Sequence, residues 1–473
     1  MSSHDISKKT ETSPFGFKDK IGYLLGDFGN DFTFILSSAF LLKFYTDVMR
    51  IDAFIVGIVM MIARFTDAFT DVTMGRICDR AKATARGKFK PWILRMCGPV
   101  AIASFLIYQS SLADMSVGFK IVWLAVTYIL WGSVFYTAIN IPYGSMASAI
   151  SAEPKDRQSL STFRTMGGTL AGVIIGGGVP LIVYDKKIIG TETVTVLSGT
   201  RFTIVAGILS LLAILAYLAC YFLTSERVIP KHDEDGIKRR STKELLKNAI
   251  SNRALISIIS ASIFMLLAQL TMQGMANYIF PNYYNNATAM SVSTLAMMVG
   301  MIVAAIFAKP LAEKIGKSEI SAISNAFAAA ICLFLFIIRP QNVWIYIGFQ
   351  LLGWLGLGIF SMVSWALITD VIDYSEIKNG IREDGSIYAL YSFARKLGQA
   401  AASGLTGVLL TAVGYSEATA FDRGVLEGVF NISTIVPAIG FTLLAVILWF
   451  WYPLKRKIVE KNVAMLKEKH RGN

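Results

Sequence analysis

Apolar and polar stretches alternate regularly along this chain of 473 residues. Twelve apolar stretches are each long enough to cross a bilayer, which takes about 20 mostly apolar residues. They are predicted near residues 20–46, 54–77, 91–112, 119–146, 160–184, 201–224, 254–281, 290–312, 318–338, 342–370, 386–414 and 427–452. The pattern therefore predicts an all-α integral membrane protein with twelve transmembrane helices, numbered here as spans 1 to 12.

The longest polar break separates span 6 from span 7 and holds eight Lys or Arg residues. The predicted segments are a cytoplasmic amino terminus, a six-helix bundle, a basic linker, a second six-helix bundle and a basic tail, at residues 1–19, 20–224, 225–253, 254–452 and 453–473. Spans 2 and 8 end in similar polar patterns, GRICDRAKATARGK and AKPLAEKIGK. A six-plus-six duplication is typical of the major facilitator fold, in which the substrate binds between the halves near the midplane.

Charge supports this interpretation and sets an orientation. Hydrophobic residues make up 54% and charged residues 16% of the chain, whereas soluble domains carry about 25% charged residues. The net charge of +13 comes largely from the loop after span 2, the linker and the tail, while the loop around residues 281–289 has no Lys or Arg. Because cytoplasmic loops are enriched in Lys and Arg, we expect both termini to be cytoplasmic and no nucleic-acid partner. The polar first 18 residues predict that span 1 is its own insertion signal.

Span 2 carries three ionisable residues on one helix face. Asp67 and Asp71 are four residues apart, and Arg64 precedes Asp67 by three. A lone charge at the bilayer centre costs about 3 to more than 10 kcal/mol, so these groups are expected to face protein or a water-filled cavity. Two carboxylates beside one guanidinium leave negative charge that suits a bound Na⁺ or H⁺. A structural ion pair that orients the helix is the alternative.

Further polar groups in other spans point to a substrate site. They are Asp27, Asn30 and Asp31 in span 1, Tyr136, Thr137, Asn140 and Tyr143 in span 4, Arg164 in span 5, and Arg395 and Lys396 in span 11. Carboxylates and amides bind sugar hydroxyls, and aromatic faces bind the apolar side of a sugar ring. Trp131, Trp354 and Trp365 are candidates for that face. Lys396 is expected to neutralise an acid of span 1 or 2, and Arg395 to have a structural or interfacial role.

Other features exclude enzymatic chemistry or indicate packing. His4, His232 and His470 all lie in polar termini or the linker, so none can be a buried general base. Cys78, Cys97, Cys220 and Cys332 are scattered, which argues against a metal site or a disulfide framework. Phosphate-binding and nucleophile motifs are absent, so uphill transport would need an ion gradient and no cofactor is expected. The glycine groups Gly168, Gly172, Gly176 and Gly353, Gly356, Gly358 are interpreted as helix-packing positions.

Several motifs together resemble the glycoside–pentoside–hexuronide:cation symporters, the melibiose permease group of the major facilitator superfamily. They are GDFGNDF, FYTDV, ARFTDAFTDVTMGRICD, RGKFKPWIL, INIPYGSM and DVIDYSEIKNGIREDGSIYALYSFARKLGQA. The wording of INIPYGS and IREDGSIY most resembles the β-glucuronide, xyloside and isoprimeverose permeases. The resemblance implies two six-helix bundles that alternate access to a central site.

The resemblance also implies roles for individual residues. Asp67, Asp71, Thr137 and Lys396 would form the cation-binding and coupling group, with Na⁺ possible at the two aspartates. Asp31, Tyr136, Asn140 and Arg164 would bind sugar, with Arg164 beside Asp31. Asp370, Asp373 and Arg64 would form an inner charged network.

Three positions depart from the melibiose permeases. Asn140 replaces a sugar-binding aspartate, Gly144 an aromatic residue and Thr70 an asparagine between the span 2 aspartates. The first change makes the pocket less negative and disfavours melibiose itself, and the third makes H⁺ a safer expectation than Na⁺.

The sequence thus predicts a symporter that imports a β-xyloside, an isoprimeverose-like disaccharide or a β-glucuronide with H⁺ or Na⁺. Its partners would be this glycoside, a monovalent cation and the lipid of a bacterial cytoplasmic (inner) membrane, and it is expected to be a monomer. The alternatives are a lysolipid transporter of the same fold and a membrane sugar sensor that does not transport.

Overall fold

The computed structural model describes residues 14–84, 86–228, 252–379 and 384–471. In the first half the helices are α1 Phe17–Asp47, α2 Ala53–Arg80, α3 Lys90–Ile107, α4 Val117–Ile129, α5 Thr137–Ile150, α6 Pro154–Gly172, α7 Val179–Val183 and α8 Gly199–Leu223. In the second half they are α9 Arg253–Tyr278, α10 Ala287–Ile315, α11 Lys317–Ile338, α12 Val343–Asn379, α13 Asp384–Ala412, α14 Arg423–Val446 and α15 Arg456–Arg471. Most of the predicted amino-terminal segment and linker lies outside the described residues.

Within the described residues, four π-helical segments continue these helices. They are Leu130–Tyr136 between α4 and α5, Val173–Gly178 between α6 and α7, Ile279–Tyr283 after α9 and Ile447–Trp451 after α14, with a short 3₁₀ turn at Ser110–Leu112. A π turn widens the helix by one residue and rotates the side chains that follow it. Each long span that contains one therefore changes the face it presents partway along its length.

Ten helical segments of the described chain are long and apolar enough to cross a membrane, with α4–α5 and α6–α7 each forming one segment. The two remaining long helices, α1 and α13, carry ionisable residues along their length and complete the twelve predicted spans. Most predicted boundaries lie within a few residues of the helix ends. Helix α12 is an exception, because it continues to Asn379, nine residues past the predicted apolar stretch.

A β-hairpin between spans 5 and 6 was not predicted from the sequence. Strand β1 Tyr184–Ile189 pairs antiparallel with β2 Glu192–Leu197, in a register that runs from Tyr184↔Leu197 to Ile189↔Glu192. Gly190 in the turn has φ +63°, a left-handed conformation that glycine adopts without strain. The alternating Thr and Val residues of β2 are typical of a strand and were the available signal.

The chain divides by its internal packing into two units. The first comprises Met1–Leu41, Thr66–Val183 and Ser198–Asp235, and the second comprises Leu42–Phe65, Tyr184–Leu197 and Gly236–Asn473. The hairpin and the connection between α1 and α2 thus belong to the second unit.

A buried ammonium group lies near the carboxyl end of α1, within the second unit. The side chain of Lys43 is only 1% exposed and lies 2.6 Å from Asp47 Oδ2. Lys43 also donates to Asn282 Oδ1 at 2.7 Å and to the Tyr415 hydroxyl at 2.6 Å. An ammonium group has three N–H donors, so each of them has an acceptor here.

Close helix packing in the second unit depends on a glycine of α12. A Cβ atom at Gly356 would overlap the carbonyl oxygen of Ser324 in α11 and lie 2.9 Å from the Cβ of Ala328. Backbone atoms cannot move aside as a flexible side chain can. The packing role predicted for Gly356 is therefore confirmed by its surroundings.

We expect Gly356→Ala to destabilise the protein by about 1–3 kcal/mol, the usual cost of overpacking a close contact. The matched control is Gly348→Ala in the same helix, where an added Cβ meets nothing within 4 Å. Thermal unfolding can be followed with a thiol-reactive dye, since all four cysteines are free and buried. Equal melting temperatures for the two variants would contradict the packing argument.

Candidate functional site

The carboxylates of Asp67 and Asp71 each accept a hydrogen bond from a hydroxyl of the span 4 helix, Val117–Ile150. Ser133 Oγ donates to Asp67 Oδ1 at 2.5 Å, and Thr137 Oγ1 donates to Asp71 Oδ1 at 2.8 Å. Both residue pairs advance by four in the same sense, so the two helices run parallel here. We call this arrangement the hydroxyl–carboxylate ladder.

The π segment of span 4 holds the donor side of this ladder. Ser133 lies inside the segment and Thr137 directly follows it. Thr137 Oγ1 also lies 3.2 Å from the carbonyl oxygen of Gly132, five residues back. Thr70, between the two aspartates, uses its hydroxyl on the backbone carbonyls of Thr66 and Asp67.

A second cluster joins α1 to α6 through an ion pair. Arg164 Nε donates to Asp27 Oδ1 at 2.9 Å, with the two side chains 39% and 13% exposed. The Arg164 guanidinium also lies over the Tyr143 ring, 5.2 Å from its centroid. Tyr143 is held in turn by stacking on Tyr23 at 4.6 Å and by donating to the Tyr23 carbonyl at 2.6 Å. The partly exposed guanidinium therefore has a fixed orientation.

Asp31 lies beside this ion pair, in a space that α6 leaves open. A Cβ atom at Gly168 would lie 2.5 Å from Asp31 Oδ2 and 3.1 Å from Asp27 Oδ2. The position predicted to pack helices together thus provides room for two carboxylates. The close bond of Arg164 is to Asp27, a residue outside the predicted sugar set.

Asn140 belongs to a line of amide and phenol groups that crosses the first unit. Tyr217 of α8 donates to Asn30 Oδ1 at 2.9 Å, and Asn30 Nδ2 lies 3.4 Å from Asn140 Oδ1. Asn30 and Tyr217 are both buried, whereas Asn140 is partly exposed. The amide of Asn140 is therefore held in place by a hydrogen bond to the buried Asn30, which is itself bonded to Tyr217.

Aromatic rings pack against one another near the ladder hydroxyls in the span 4 sequence. Tyr136 stacks on Phe34 at 5.6 Å and lies 5.5 Å from Trp131. Trp131 is fully buried and also stacks on Tyr128, so it has no open face for a sugar. Tyr136 is partly exposed and is the better-placed ring of the first unit.

The remaining predicted residues belong to the second unit. Asp370 in α12 is buried and pairs with Lys317 Nζ at 2.6 Å. Arg395 of α13 lies over the Trp365 and Tyr391 rings, which agrees with a structural role. Arg64, Asp373 and Lys396 are partly buried in α2, α12 and α13, and their predicted roles stay predictions.

Ser133 and Tyr217 are among the residues of these clusters that were not singled out in the sequence, and Asp27 was noted without a role. A serine in an apolar span gives no pattern of its own, and the phenol of Tyr217 lies in the predominantly apolar part of its helix. Asp27 had a signal, because it lies four residues before Asp31 on the same helix face.

Comparison with known proteins identifies the family. The model for MFS/sugar transport proteins matches residues 22–456. The isoprimeverose transporter of Lactiplantibacillus pentosus is 31% identical, with 96% of this chain and 92% of that protein aligned. The glucuronide carrier protein homolog of Escherichia coli is 29% identical, with 92% of each chain aligned.

Solved structures agree on the fold. A bacterial homolog of the human lysosomal transporter Spinster superposes with a TM-score of 0.64 at 12% identity, covering 94% of this chain and 97% of that one. At this identity the likeness shows the major facilitator fold alone. The predicted family and fold class are thus confirmed: the chain belongs to the MFS/sugar transport protein family and is a multi-pass membrane transporter, not an enzyme.

Proposed function

We propose that this protein is a cation-coupled symporter that imports a glycoside by alternating access. The observation that carries the proposal is the position of two groups on α5. Thr137 donates to Asp71 in the ladder, and Asn140 accepts from Asn30 of α1. Residues three apart on a helix are neighbours on one face, so a cation site and a sugar site would share one rigid element.

The ladder has the chemistry of a site for H⁺ or Na⁺. Two carboxylates on one helix face each accept a hydrogen bond from a neutral hydroxyl, and carboxylates within membrane spans are typical of ion and proton pathways. A proton would bind directly to a carboxylate, whereas Na⁺ would also require the hydroxyl oxygens of Ser133 and Thr137 to turn toward it. Because Thr70 stands where the melibiose permeases have an asparagine, we propose H⁺ as the coupling ion.

Four residues of the first unit, which we call the sugar cluster, suit a glycoside. Asp31 offers an acceptor, Asn140 an amide, Arg164 a partly exposed guanidinium and Tyr136 a ring face. Sugar sites combine such polar groups with an aromatic face. We propose a β-xyloside, an isoprimeverose-like disaccharide or a β-glucuronide as the substrate, consistent with the names of the two relatives.

Coupling follows from the shared helix. A cation that neutralises Asp71 weakens the hydrogen bond from Thr137. This changes the position of α5 at Thr137, which lies about one helical turn before Asn140. Thermodynamic linkage requires the sugar to raise cation affinity by the same factor. The basic loops support a place in the bacterial inner membrane with both termini cytoplasmic, and we propose a monomer as the working unit.

We expect Asp71→Asn to reduce gradient-driven accumulation about tenfold or more, since interactions of a charged group are worth about 1.5–3 kcal/mol. Downhill exchange should persist in part, because an asparagine still accepts from Thr137. The measurement is uptake of labelled β-xyloside and β-glucuronide into membrane vesicles under an imposed pH or Na⁺ gradient.

The matched control is Asp79→Asn, which removes an exposed carboxylate from the same helix and should accumulate sugar as the wild type does. Equal loss of every transport mode in Asp71→Asn would contradict the coupling role. Sugar binding without uptake would favour a sensor. If neither sugar binds or accumulates, lysolipid transport becomes the favoured hypothesis.

We expect Gly168→Ala to weaken glycoside binding by about tenfold, because the new methyl group would displace the Asp31 carboxylate, at the cost of about one charged hydrogen bond. Folding should be little affected, since the displaced atom is the end of a side chain. Gly177→Ala is the control, as a Cβ there meets nothing within 4 Å. Sugar-dependent thermal shifts of the two purified variants give the comparison, and unchanged affinity in Gly168→Ala would argue against Asp31 as a sugar ligand.

A further inference from the structure

Tyr217 of α8 lies behind the sugar cluster, with no role in the proposal so far. Its side chain is 1% exposed, and its hydroxyl donates to Asn30 Oδ1 at 2.9 Å. The ring lies against α1, where a Cβ at Gly29 would be 3.2 Å from two of its carbons. The phenol is therefore fixed in place against Asn30.

The direction of this hydrogen bond sets the direction of the next one. A phenol has a single proton, and leaving a buried donor without an acceptor costs about 1–3 kcal/mol. Among the described residues, the hydrogen-bond partner of the Tyr217 hydroxyl is Asn30 Oδ1. Asn30 therefore uses its oxygen as the acceptor and turns its NH₂ group away from Tyr217.

The NH₂ group of Asn30 meets Asn140. Its Nδ2 lies 3.4 Å from Asn140 Oδ1, so the amide oxygen of Asn140 accepts. The other end of that amide, Nδ2, carries two N–H donors. Asn140 is partly exposed, and because its oxygen accepts from Asn30, the NH₂ donor is the end of its amide left for a ligand. This orientation is set, through Asn30, by the buried phenol of Tyr217.

We propose that Tyr217 is a positioning residue that fixes Asn140 as a hydrogen-bond donor to a hydroxyl oxygen of the transported glycoside. The inference rests on the proposed function and adds a rule for substrate choice. The sugar hydroxyl read by Asn140 must act as an acceptor, whereas an ionised aspartate at this position could only accept from it.

Deoxy and deoxyfluoro analogues of the glycoside distinguish a residue that donates a hydrogen bond to the sugar hydroxyl from one that accepts a hydrogen bond from it. A C–F group accepts weakly and cannot donate, and a C–H group does neither. At the hydroxyl read by Asn140, the wild type should bind the fluoro analogue about two- to tenfold more tightly than the deoxy analogue, the range of one neutral hydrogen bond. Binding is measured as protection of the purified protein from thermal unfolding, so the ratio is obtained independently of transport.

In Tyr217→Phe the two amides can turn over, and the fluoro-to-deoxy ratio should fall to about one. The control is Tyr221→Phe, one turn further along α8, where the ring faces the Lys90 ammonium at 4.9 Å, and it should keep the wild-type ratio. An ionised aspartate in Asn140→Asp still accepts from Asn30 but cannot donate, so the fluoro-to-deoxy affinity ratio of this variant should also fall. It is the variant to measure if Tyr217→Phe does not fold.

A ratio that survives Tyr217→Phe would overturn the positioning role. Equal affinities for fluoro and deoxy analogues at every position in the wild type would overturn the donor role of Asn140. Uptake of the parent glycoside by the wild type tests the proposed function alone, because the affinity ratio does not depend on it.

Discussion

An ionisable group inside a bilayer needs a partner from the protein, and this constraint organises the polar part of the structure. Hydrocarbon offers no hydrogen bonds, so an unmatched charge costs several kcal/mol or more. The chain meets this requirement with close pairs: Asp27 with Arg164, Asp67 with Ser133, Asp71 with Thr137, Lys43 with Asp47, and Lys317 with Asp370. The Lys43–Asp47 pair lies within α1, whereas each of the other pairs joins two helices of one unit and fixes their relative rotation. The polar side chains thus specify which helix faces meet. Apolar packing alone would stabilise many alternative pairings of helix faces to a similar extent.

The span 4 helix shows how a local backbone feature places such groups. Its π segment ends where the carboxylate-binding hydroxyls lie, and Asn140 follows on the same face as Thr137. A regular α-helix would rotate these residues relative to Ser133, and the ladder and the amide would face different neighbours. The same helix therefore serves the cation chemistry and the sugar chemistry that we propose, which is a direct physical route for coupling them.

Apolar length and periodicity were sufficient to predict the helical membrane fold and the shared face of Asp67 and Asp71, whereas the family was predicted from the resemblance of several motifs. Apolar length and periodicity were not sufficient to predict partners. The choice of Asp27 over Asp31 as the close partner of Arg164 depends on the rotation of α1 against α6, which no single-chain pattern encodes. Ser133 depends on a π turn, for which the sequence has no reliable signal. The β-hairpin was missed because its signal, the alternation of Thr and Val in β2, is short and lies in a polar connection. A search for long apolar stretches does not detect such a signal.

The cluster around Lys43 has a consequence for how the protein is assembled during synthesis. Its acceptors Asn282 and Tyr415 lie 239 and 372 residues further along the chain. Asp47, in contrast, is one helical turn away and meets the ammonium as soon as α1 forms. The i, i+4 ion pair therefore shields the charge when the first span enters the membrane, long before the later partners exist. The acceptors Asn282 and Tyr415 become available only after α9 and α13 have been synthesised, so the three donors of Lys43 are fully matched only late in assembly.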